Sequence, residues 1–308
     1  MPEVPHRVLV TGPASWNLTV RVATLPEPRP HTVSADGWAD GLGGTSAGKA
    51  VTLAALGVDV TLRTVLGEDD AAGRIRAALE RPHLEVVAVP AAGRASERHV
   101  NLVADDGSRL SVYLTLPDAV PSGAARPVAE LLRGADAAVV DLAEHSRPVL
   151  DAARAAGVPV WCDVHDDDGT GPYARAFTAA ADVILASHVR LADPVAYLRA
   201  RLAEGARLAV VTRGAAGALA VAVGDDGVPR WYDVGAAAVH AAVQAEGAGD
   251  AFAAGLLWAT LAGAPVPEAL ALASATGAVA VAGPGLGAPD ATPRTVRRLV
   301  ERVVVTPR

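Results

Sequence analysis

One stretch near the carboxyl end, Gly247-Ala248-Gly249-Asp250 followed by an apolar run to Leu261, most constrains how this chain can fold. The run has no polar face, and a helix that is apolar all round must be buried. The two glycines allow backbone N–H groups at the start of that helix to approach a ligand, and the helix dipole favours an anion there. Asp250 in the first turn is placed to accept a proton from a substrate hydroxyl. A tight turn followed by a helix cap explains the same residues equally well.

The rest of the chain has the pattern of an α/β protein. From Val128 onwards strand-like and helix-like segments alternate, which predicts right-handed crossovers and a parallel sheet. Ligands of such sheets bind beyond the carboxyl ends of the strands, so Asp141 and Asp163, which end two strands, are site candidates. The segments 18–23 and 31–38 alternate as strands covered on one face, and the segments 98–104 and 110–116 are expected to form a hairpin.

Three stretches resemble the signatures of the ribokinase-like family, also called PfkB carbohydrate kinases. Gly247-Ala248-Gly249-Asp250 is similar to the family's Gly-Ala-Gly-Asp motif. The segments 43–57 and 67–73 resemble its N-terminal signature, a double glycine and an Ala-rich helix ending in Leu-Gly, then Gly-x-Asp-x-x-Gly. The segment 211–218 is similar to its Thr-x-Gly-x-x-Gly nucleotide loop. The stretches lie in the family's order and spacing and span nearly the whole chain.

The resemblance implies a ribokinase-like three-layer α/β/α sandwich with a mainly parallel central sheet and a small β lid. Residues 1–308 are expected to form a single kinase domain, with the lid formed by about 13–40 and 94–117. The implied activity is ATP-dependent phosphorylation of a hydroxymethyl group of a sugar, a nucleoside or a similar small alcohol. ATP and Mg²⁺ are the implied cofactors, K⁺ is a further candidate, and no residue is assigned as a metal ligand.

The resemblance also implies three groups of site residues. The catalytic group is Asp250 as general base, with Gly247, Ala248 and Gly249 supplying the turn and amides that face the phosphoryl group. The nucleotide group is Ser187, Thr212, Gly214, Gly217 and Ser274. The acceptor group is Asn17, Gly43, Gly44, Gly48, Lys49 and Asn101. A solvated strand face is an equally good explanation for Asn101.

Lys49 needs separate consideration because it is the only lysine in the chain. An Arg-rich composition that left one lysine by chance is the favoured explanation. The alternative is that Lys49 meets an anion, because a cation in a first helical turn is otherwise unfavourable.

Four positions depart from the family pattern. Gly48 replaces an Asn that binds a substrate hydroxyl, and Asn17 stands where an Asp usually grips the same substrate. The segment 187–190, ending in Arg190, replaces an Asn-x-x-Glu tied to magnesium and phosphate handling, and Gln244-Ala245 replaces Asp-Thr. These departures argue against ordinary sugar specificity. They also favour an alternative function, a catalytically weakened family member that binds a nucleotide or metabolite.

Other function classes are disfavoured by the sequence. The net charge of −7 argues against nucleic-acid and anionic-membrane partners, which leaves a small-molecule substrate. No Gly-x-Gly-x-x-Gly follows the first strand, which makes a dinucleotide-binding dehydrogenase remote. The single Cys162 permits no internal disulfide, so a cytoplasmic protein is expected, either monomeric or homodimeric.

Overall fold

The computed structural model describes residues 5–120, 125–239 and 246–308. Within them, ten strands form one large sheet in the order β14-β13-β12-β11-β10-β9-β8-β1-β4-β5. From β11 to β5 in this order, each strand is parallel to its neighbour. The pairs β11–β12, β12–β13 and β13–β14 are antiparallel. The strands of this sheet are β1 (Arg7–Thr11), β4 (Asp59–Leu66), β5 (Leu84–Pro90), β8 (Ala137–Val140), β9 (Val160–Asp163), β10 (Val183–Ser187), β11 (Leu208–Thr212), β12 (Ala218–Val223), β13 (Pro229–Val234) and β14 (Val305–Pro307).

Helices cover both faces of this sheet. Alternate side chains of the strands pack into two separate apolar clusters, one with α1, α2, α7, α8 and α9 and the other with α3 to α6. The helices are α1 (Thr45–Ala55), α2 (Asp70–Leu79), α3 (Val128–Leu131), α4 (Arg147–Ala156), α5 (Pro172–Thr178), α6 (Pro194–Ala203), α7 (Ala248–Leu261), α8 (Val266–Ala282) and α9 (Pro293–Val300). The three-layer arrangement predicted from the sequence is therefore present.

A second sheet of four strands lies apart from the first, in the order β3-β2-β6-β7. Its strands are β2 (Ser15–Val22), β3 (Gly37–Gly43), β6 (Arg98–Ala104) and β7 (Arg109–Thr115). The expected hairpin is β6 and β7. The prediction of a strand over residues 31–38 is wrong, because the segment that pairs with β2 is Gly37–Gly43. This places the end of β3 directly before α1.

Two helices that are apolar on every side, α7 and α8, pack closely against each other because glycines face the contact. A Cβ on Gly255 would lie 2.4 Å from the Thr276 hydroxyl, and a Cβ on Gly277 would lie 3.2 Å from the Ala248 carbonyl. The second contact lies at the first turn of α7. Packing within the helix layer therefore fixes where that turn stands.

The apolar run 236–243 also predicts a strand. This strand is absent from 236–239, and 240–243 lie outside the described residues. The antiparallel strand β12 was not anticipated. Among the described residues, no helix is both long and apolar enough to cross a membrane.

Candidate active site

The first turn of α7 begins at a glycine in the left-handed conformation. Gly247 precedes it with φ of 78°, and a Cβ there would lie 2.7 Å from the amide nitrogen of Gly287, so glycine is required. The first amide of the helix with an intrahelical partner among the described residues is that of Ala251, which bonds to the Gly247 carbonyl at 2.9 Å. The amides of Ala248, Gly249 and Asp250 precede it, and the first N–H groups of a helix have no intrahelical partner.

The two carboxylate oxygens of Asp250 have different surroundings. Its Oδ1 accepts a hydrogen bond from the Thr45 hydroxyl and another from Lys49 Nζ at 2.8 Å. Among the described residues no hydrogen bond reaches Oδ2. This second oxygen lies beside Gly48, where a Cβ would be 3.2 Å away. The side chain of Asp250 is 12% exposed, and only one of its two oxygens is held by hydrogen bonds from the described residues.

Lys49 is buried among carboxylates and does not face the cleft. It is 1% exposed, and its Nζ lies 3.2 Å from Asp141 Oδ1 and 3.3 Å from Asp163 Oδ2. The Thr45 hydroxyl accepts a further bond from Nζ at 2.5 Å. Burial alone would lower the pKa of Lys49, but Asp141, Asp250 and Asp163 together raise that pKa above its ordinary value. Lys49 is therefore charged, and it meets anions supplied by the protein itself rather than the predicted acceptor.

Asp141 and Asp163 reach Lys49 because β8 and β9 are neighbours in the sheet. Burial raises the pKa of Asp141 despite the opposing effect of Lys49, and the Ser46 hydroxyl donates to its Oδ2 at 2.6 Å. Burial also pushes the pKa of Asp163 upward, but His165 and Lys49 outweigh it and bring that pKa down to about 2. Both strand-end aspartates identified from the sequence thus belong to one cluster with Asp250.

A divalent cation does not fit this cluster well. Oxygen or nitrogen atoms of Asp163, His165 and Asp250 lie within 4.8 Å of one another. However, Asp163 and Asp250 are already bonded to the ammonium group of Lys49. Mg²⁺ prefers oxygen ligands in near-octahedral geometry, which this set does not supply. No step of the chemistry is therefore assigned to an ion held by these residues.

The predicted nucleotide residues lie at the carboxyl ends of β10 and β11. Ser187 and Thr212 end these strands and are partners in the parallel register. Gly214 and Gly217 frame the turn that follows, with φ of 57° and 81°. A Cβ on Gly217 would lie 1.9 Å from the Val234 carbonyl at the end of β13, so the turn packs tightly against that strand.

Ser274 on α8 adjoins the same turn. Its hydroxyl donates to the carbonyl of Gly235 at 2.7 Å, one residue after Val234. The five residues predicted to contact the nucleotide therefore form one connected group along the ends of β10, β11 and β13. Their spacing in the sequence did not by itself require this.

The predicted acceptor residues lie between the second sheet and α1. Asn17 is buried on β2, and its Oδ1 accepts from the His99 amide at 3.2 Å. A Cβ on Gly43 would lie 2.0 Å from Asn17 Nδ2, so glycine leaves room for the amide side chain. Gly44 precedes α1 with φ of 94°, and a Cβ there would lie 2.4 Å from the Pro13 carbonyl. Both glycines are thus required by close approach.

Asn101 links the second sheet to the turn before α7. Its Nδ2 donates to Glu246 Oε1 at 3.2 Å, and Arg109 Nη1 lies 3.5 Å from the same oxygen. Since Glu246 directly precedes Gly247, these contacts join β6 and β7 to the candidate phosphate site. A solvated strand face does not account for Asn101, which is 2% exposed.

Sequence reasoning missed Thr45, Ser46 and Glu246, which contact Asp250, Asp141 and Asn101. The four-residue spacing of Thr45 and Lys49 on one helix was an available signal, because such pairs are neighbours. Of the departures from the family pattern, Arg190 pairs with the exposed Asp168 at 3.3 Å. Gln244 and Ala245 lie outside the described residues, so the prediction about K⁺ stays a prediction.

Comparison with known proteins decides the family. The model of the family described as "pfkB family carbohydrate kinase" matches residues 6–293. The chain belongs to this family. It is therefore a PfkB-type kinase, a phosphotransferase that uses an alcohol group of a small molecule as acceptor. The alternative of a catalytically weakened member that binds a nucleotide or metabolite stays a prediction, which a turnover measurement tests.

Two curated relatives of this PfkB kinase cover most of its length. It is 31% identical over 278 residues to the acarbose 7(IV)-phosphotransferase of Actinoplanes sp. (strain ATCC 31044 / CBS 674.73 / SE50/110), covering 89% of this chain and 91% of the relative. It is 34% identical over 284 residues to the ATP-dependent ribose-1-phosphate kinase of Halopiger xanaduensis (strain DSM 18323 / JCM 14033 / SH-6), with the same two coverages. The two relatives are named for different acceptors.

Solved structures agree with the ribokinase-like fold. The structure of a microbiome-derived acarbose kinase matches with a TM-score of 0.80 and 26% identity, covering 97% of this chain and 100% of that chain. The Arabidopsis thaliana ribokinase complexed with ribose and ATP matches with a TM-score of 0.76 and 20% identity, covering 97% and 99%. The PfkB kinase described here thus has a ribokinase-like core with a lid-like second sheet.

Proposed function

We propose that this PfkB kinase transfers the γ-phosphoryl group of Mg·ATP to a hydroxymethyl group of an uncharged, sugar-like alcohol, with Asp250 as general base. The observation that carries the proposal is the asymmetry of the Asp250 carboxylate. Its Oδ1 is bonded to Thr45 and Lys49, and its Oδ2 has no hydrogen bond from the described residues. A base must be held in position and still have one oxygen within reach of the proton it removes.

In the proposed reaction, Oδ2 of Asp250 accepts the acceptor's hydroxyl proton while the hydroxyl oxygen bonds to the γ-phosphorus. The bond from the γ-phosphorus to the bridging oxygen of ATP breaks, and ADP leaves with the electron pair. The amides of Ala248, Gly249 and Asp250 donate to the phosphoryl oxygens, on which negative charge is spread. The proton on Oδ2 passes to water when the site reopens.

The nucleotide is proposed to lie along the ends of β10 and β11. Ser187, Thr212, Gly214 and Gly217 would contact its phosphates and ribose, and Ser274 would lie beside its base. Support for this placement comes from the connected group that these residues form beyond the carboxyl ends of parallel strands, where ligands of open α/β sheets bind. Mg²⁺ enters as part of the nucleotide substrate.

The charges around Asp250 favour an acceptor without a phosphate. The cation nearest the proposed base is not free to bind a phosphate on the acceptor, because the ammonium of Lys49 is already bonded to Asp141, Asp163 and Asp250. Three carboxylates around one ammonium leave this part of the site negative, which repels a second anion. Of the two curated relatives, the acarbose 7(IV)-phosphotransferase is therefore a better guide to the acceptor than the ribose-1-phosphate kinase.

The second sheet leaves space for an acceptor larger than one sugar ring. Gly41 on β3 pairs with Asn17 and lies on the same sheet face, because paired residues share a face. A Cβ on Gly41 would meet nothing within 4 Å. We propose that Asn17, Asn101, Gly43 and Gly44 contact the ring that carries the reacting hydroxyl, and that the rest of the acceptor extends past Gly41.

The function is tested by ADP release from Mg·ATP with acarbose, ribose, inosine and ribose 1-phosphate as acceptors. We expect turnover with an uncharged acceptor and a loss of about 10²-fold or more in Asp250→Asn, since a general base contributes about that much. Glu268→Gln is the matched control, because Glu268 is an exposed acid in the first turn of α8. Full turnover by Asp250→Asn would reject Asp250 as base, and ribose 1-phosphate as the preferred acceptor would reject the charge argument.

We propose that residues 1–308 act as one kinase unit with the second sheet as a lid over the acceptor. A reducing cytoplasm is the proposed compartment, supported by the single, buried Cys162. Whether the protein is a monomer or a homodimer is a question for light scattering of the purified chain.

A further inference from the structure

The contacts of Lys49 divide into two sets with different consequences. Asp141 and Asp163 come from the ends of β8 and β9, at 3.2 and 3.3 Å from Nζ. Asp250 comes from α7 and lies at 2.8 Å, with the Thr45 hydroxyl bridging to the same Oδ1. The first set fixes the ammonium group to the rigid sheet. The second set connects that fixed cation to the proposed base.

A direct role in acceptor binding is not compatible with these contacts. The ammonium group of Lys49 has only three N–H bonds to donate. Thr45, Asp250 and the two strand-end aspartates already offer more oxygens than that. A purely structural ion pair is also incomplete as an explanation. A structural ion pair does not require that Thr45 and Lys49 both donate to Oδ1 of Asp250 while no described residue donates to Oδ2.

Gly48 contributes to the same arrangement. It lies next to Lys49 in α1, and a Cβ there would be 3.3 Å from both Asp250 Cβ and Leu286 Cγ. The absence of a side chain lets α7 approach α1 closely enough for both Thr45 and Lys49 to reach Oδ1. Gly48, which departs from the family pattern, and Lys49, the only lysine of the chain, therefore both determine where the Asp250 carboxylate lies.

We propose that Lys49 is a positioning residue of the phosphoryl-transfer site: fixed by Asp141 and Asp163, it holds Oδ1 of Asp250 so that Oδ2 alone faces the acceptor hydroxyl. This inference rests on the proposed function, since it assigns Lys49 a role that is carried out through the base. A lysine that acts only through Asp250 changes the rate of phosphoryl transfer. It leaves the binding of nucleotide and acceptor unchanged.

The test uses a variant that keeps the charge of the cluster. Lys49→Met alone leaves three carboxylates without their cation and can fail to fold, whereas Lys49→Met/Asp141→Asn retains the wild-type net charge of these four groups, −2. In the full-length double variant we expect kcat to fall by about 10²-fold, with acceptor KM and ATP affinity changed by less than about threefold. Asp141→Asn alone separates the contribution of that aspartate. Arg298→Met, an exposed cation on α9, is the control for general effects.

A double-mutant cycle with Asp250→Asn separates positioning from a structural role. If Lys49 acts through Asp250, then adding Lys49→Met/Asp141→Asn to Asp250→Asn lowers kcat by less than about threefold further, because the base is already lost. Full additivity of the two losses overturns the proposal, as does a raised acceptor KM with unchanged kcat. Wild-type turnover by Asp250→Asn would reject the proposed function itself. Loss in Asp250→Asn with none in the Lys49 variant would reject only this inference.

Discussion

Gly48 is the residue at which a departure from the family pattern has a clear physical reason. A Cβ at this position would lie 3.2 Å from Asp250 Oδ2, tighter than an ordinary van der Waals contact. In the proposed mechanism this oxygen accepts the proton, so even a methyl group moves the reacting atom. The Asn that the family usually carries would displace it further. Restoring the family residue is therefore not expected to improve this enzyme.

We predict that Gly48→Ala lowers kcat by about tenfold, because displacements of a fraction of an ångström at a reacting atom are costly. Stability should change by less than about 1 kcal/mol, since the better helix propensity of alanine offsets part of the crowding. The measurement is kcat together with urea denaturation. Gly73→Ala is the control, because Gly73 also lies in a helix but has nothing within 4 Å of its Cβ position. Equal kcat in the two variants would contradict the placement of Oδ2.

The buried His145 makes the stability of the fold depend on pH. Burial lowers the pKa of His145 to about 4, and the nearby Arg63 adds to this effect. The unfolded chain binds its proton near pH 6.5, so between about pH 6.5 and 4 the unfolded state holds more protons and stability falls as the pH falls. The loss attributable to this group approaches about 3 kcal/mol at pH 4.

Urea denaturation at pH 7 and pH 4.5 measures this effect. His145→Gln should reduce the difference in unfolding free energy between the two pH values by about 2 kcal/mol. The control His31→Gln replaces an exposed histidine and should leave the difference unchanged. An unchanged difference in His145→Gln would mean that other groups account for the acid sensitivity. The contribution of Asp163 to acid sensitivity falls in a lower pH range than that of His145. Its pKa of about 2 means that its stabilisation is lost between about pH 4 and 2.

At the scale of elements, the contact between α7 and α8 positions the proposed phosphate site. Gly255 lies in the middle of α7, and a Cβ there would be 2.4 Å from the hydroxyl and 2.6 Å from the Cβ of Thr276. We predict that Gly255→Ala destabilises the protein by about 1–3 kcal/mol, since overpacking a core forces backbone shifts and unfavourable rotamers. Gly73→Ala should instead be neutral or stabilising by about 0.4–1 kcal/mol. Thermal and urea unfolding of both variants provide the comparison.

The position of β3 illustrates what strand patterns cannot predict. Residues 31–38 alternate in polarity, yet the strand is Gly37–Gly43, which contains three glycines and has little intrinsic preference for a sheet. Its place is set by pairing with β2 and by the turn at Gly44 that leads into α1. Strands of strong apolar character are easier to predict: the runs 183–187 and 208–212 each predict a strand, and these are the observed bounds of β10 and β11.

At the scale of the whole molecule, the order of strands and helices followed from periodicity and from the family resemblance. The residues named for the nucleotide lie together for the same reason, because they belong to motifs with a fixed place in the fold. The cluster around Lys49 could not be foreseen in this way. Lys49 meets Asp141 and Asp250 across 92 and 201 residues, and nothing local to α1 identifies these partners. Composition suggested only that a single lysine was unusual.

The burial of this lysine has a consequence for how the protein meets proteases. An endoprotease that cleaves only after lysine has one site in the chain, at the bond between Lys49 and Ala50, inside α1. That bond is covered on all sides, since both residues are at most 1% exposed. The native enzyme should therefore remain intact until α1 leaves the core. At a protease concentration high enough for cleavage to outpace reclosing, the fragments 1–49 and 50–308 form at the rate of that opening, which can be read from a single pair of bands on a gel.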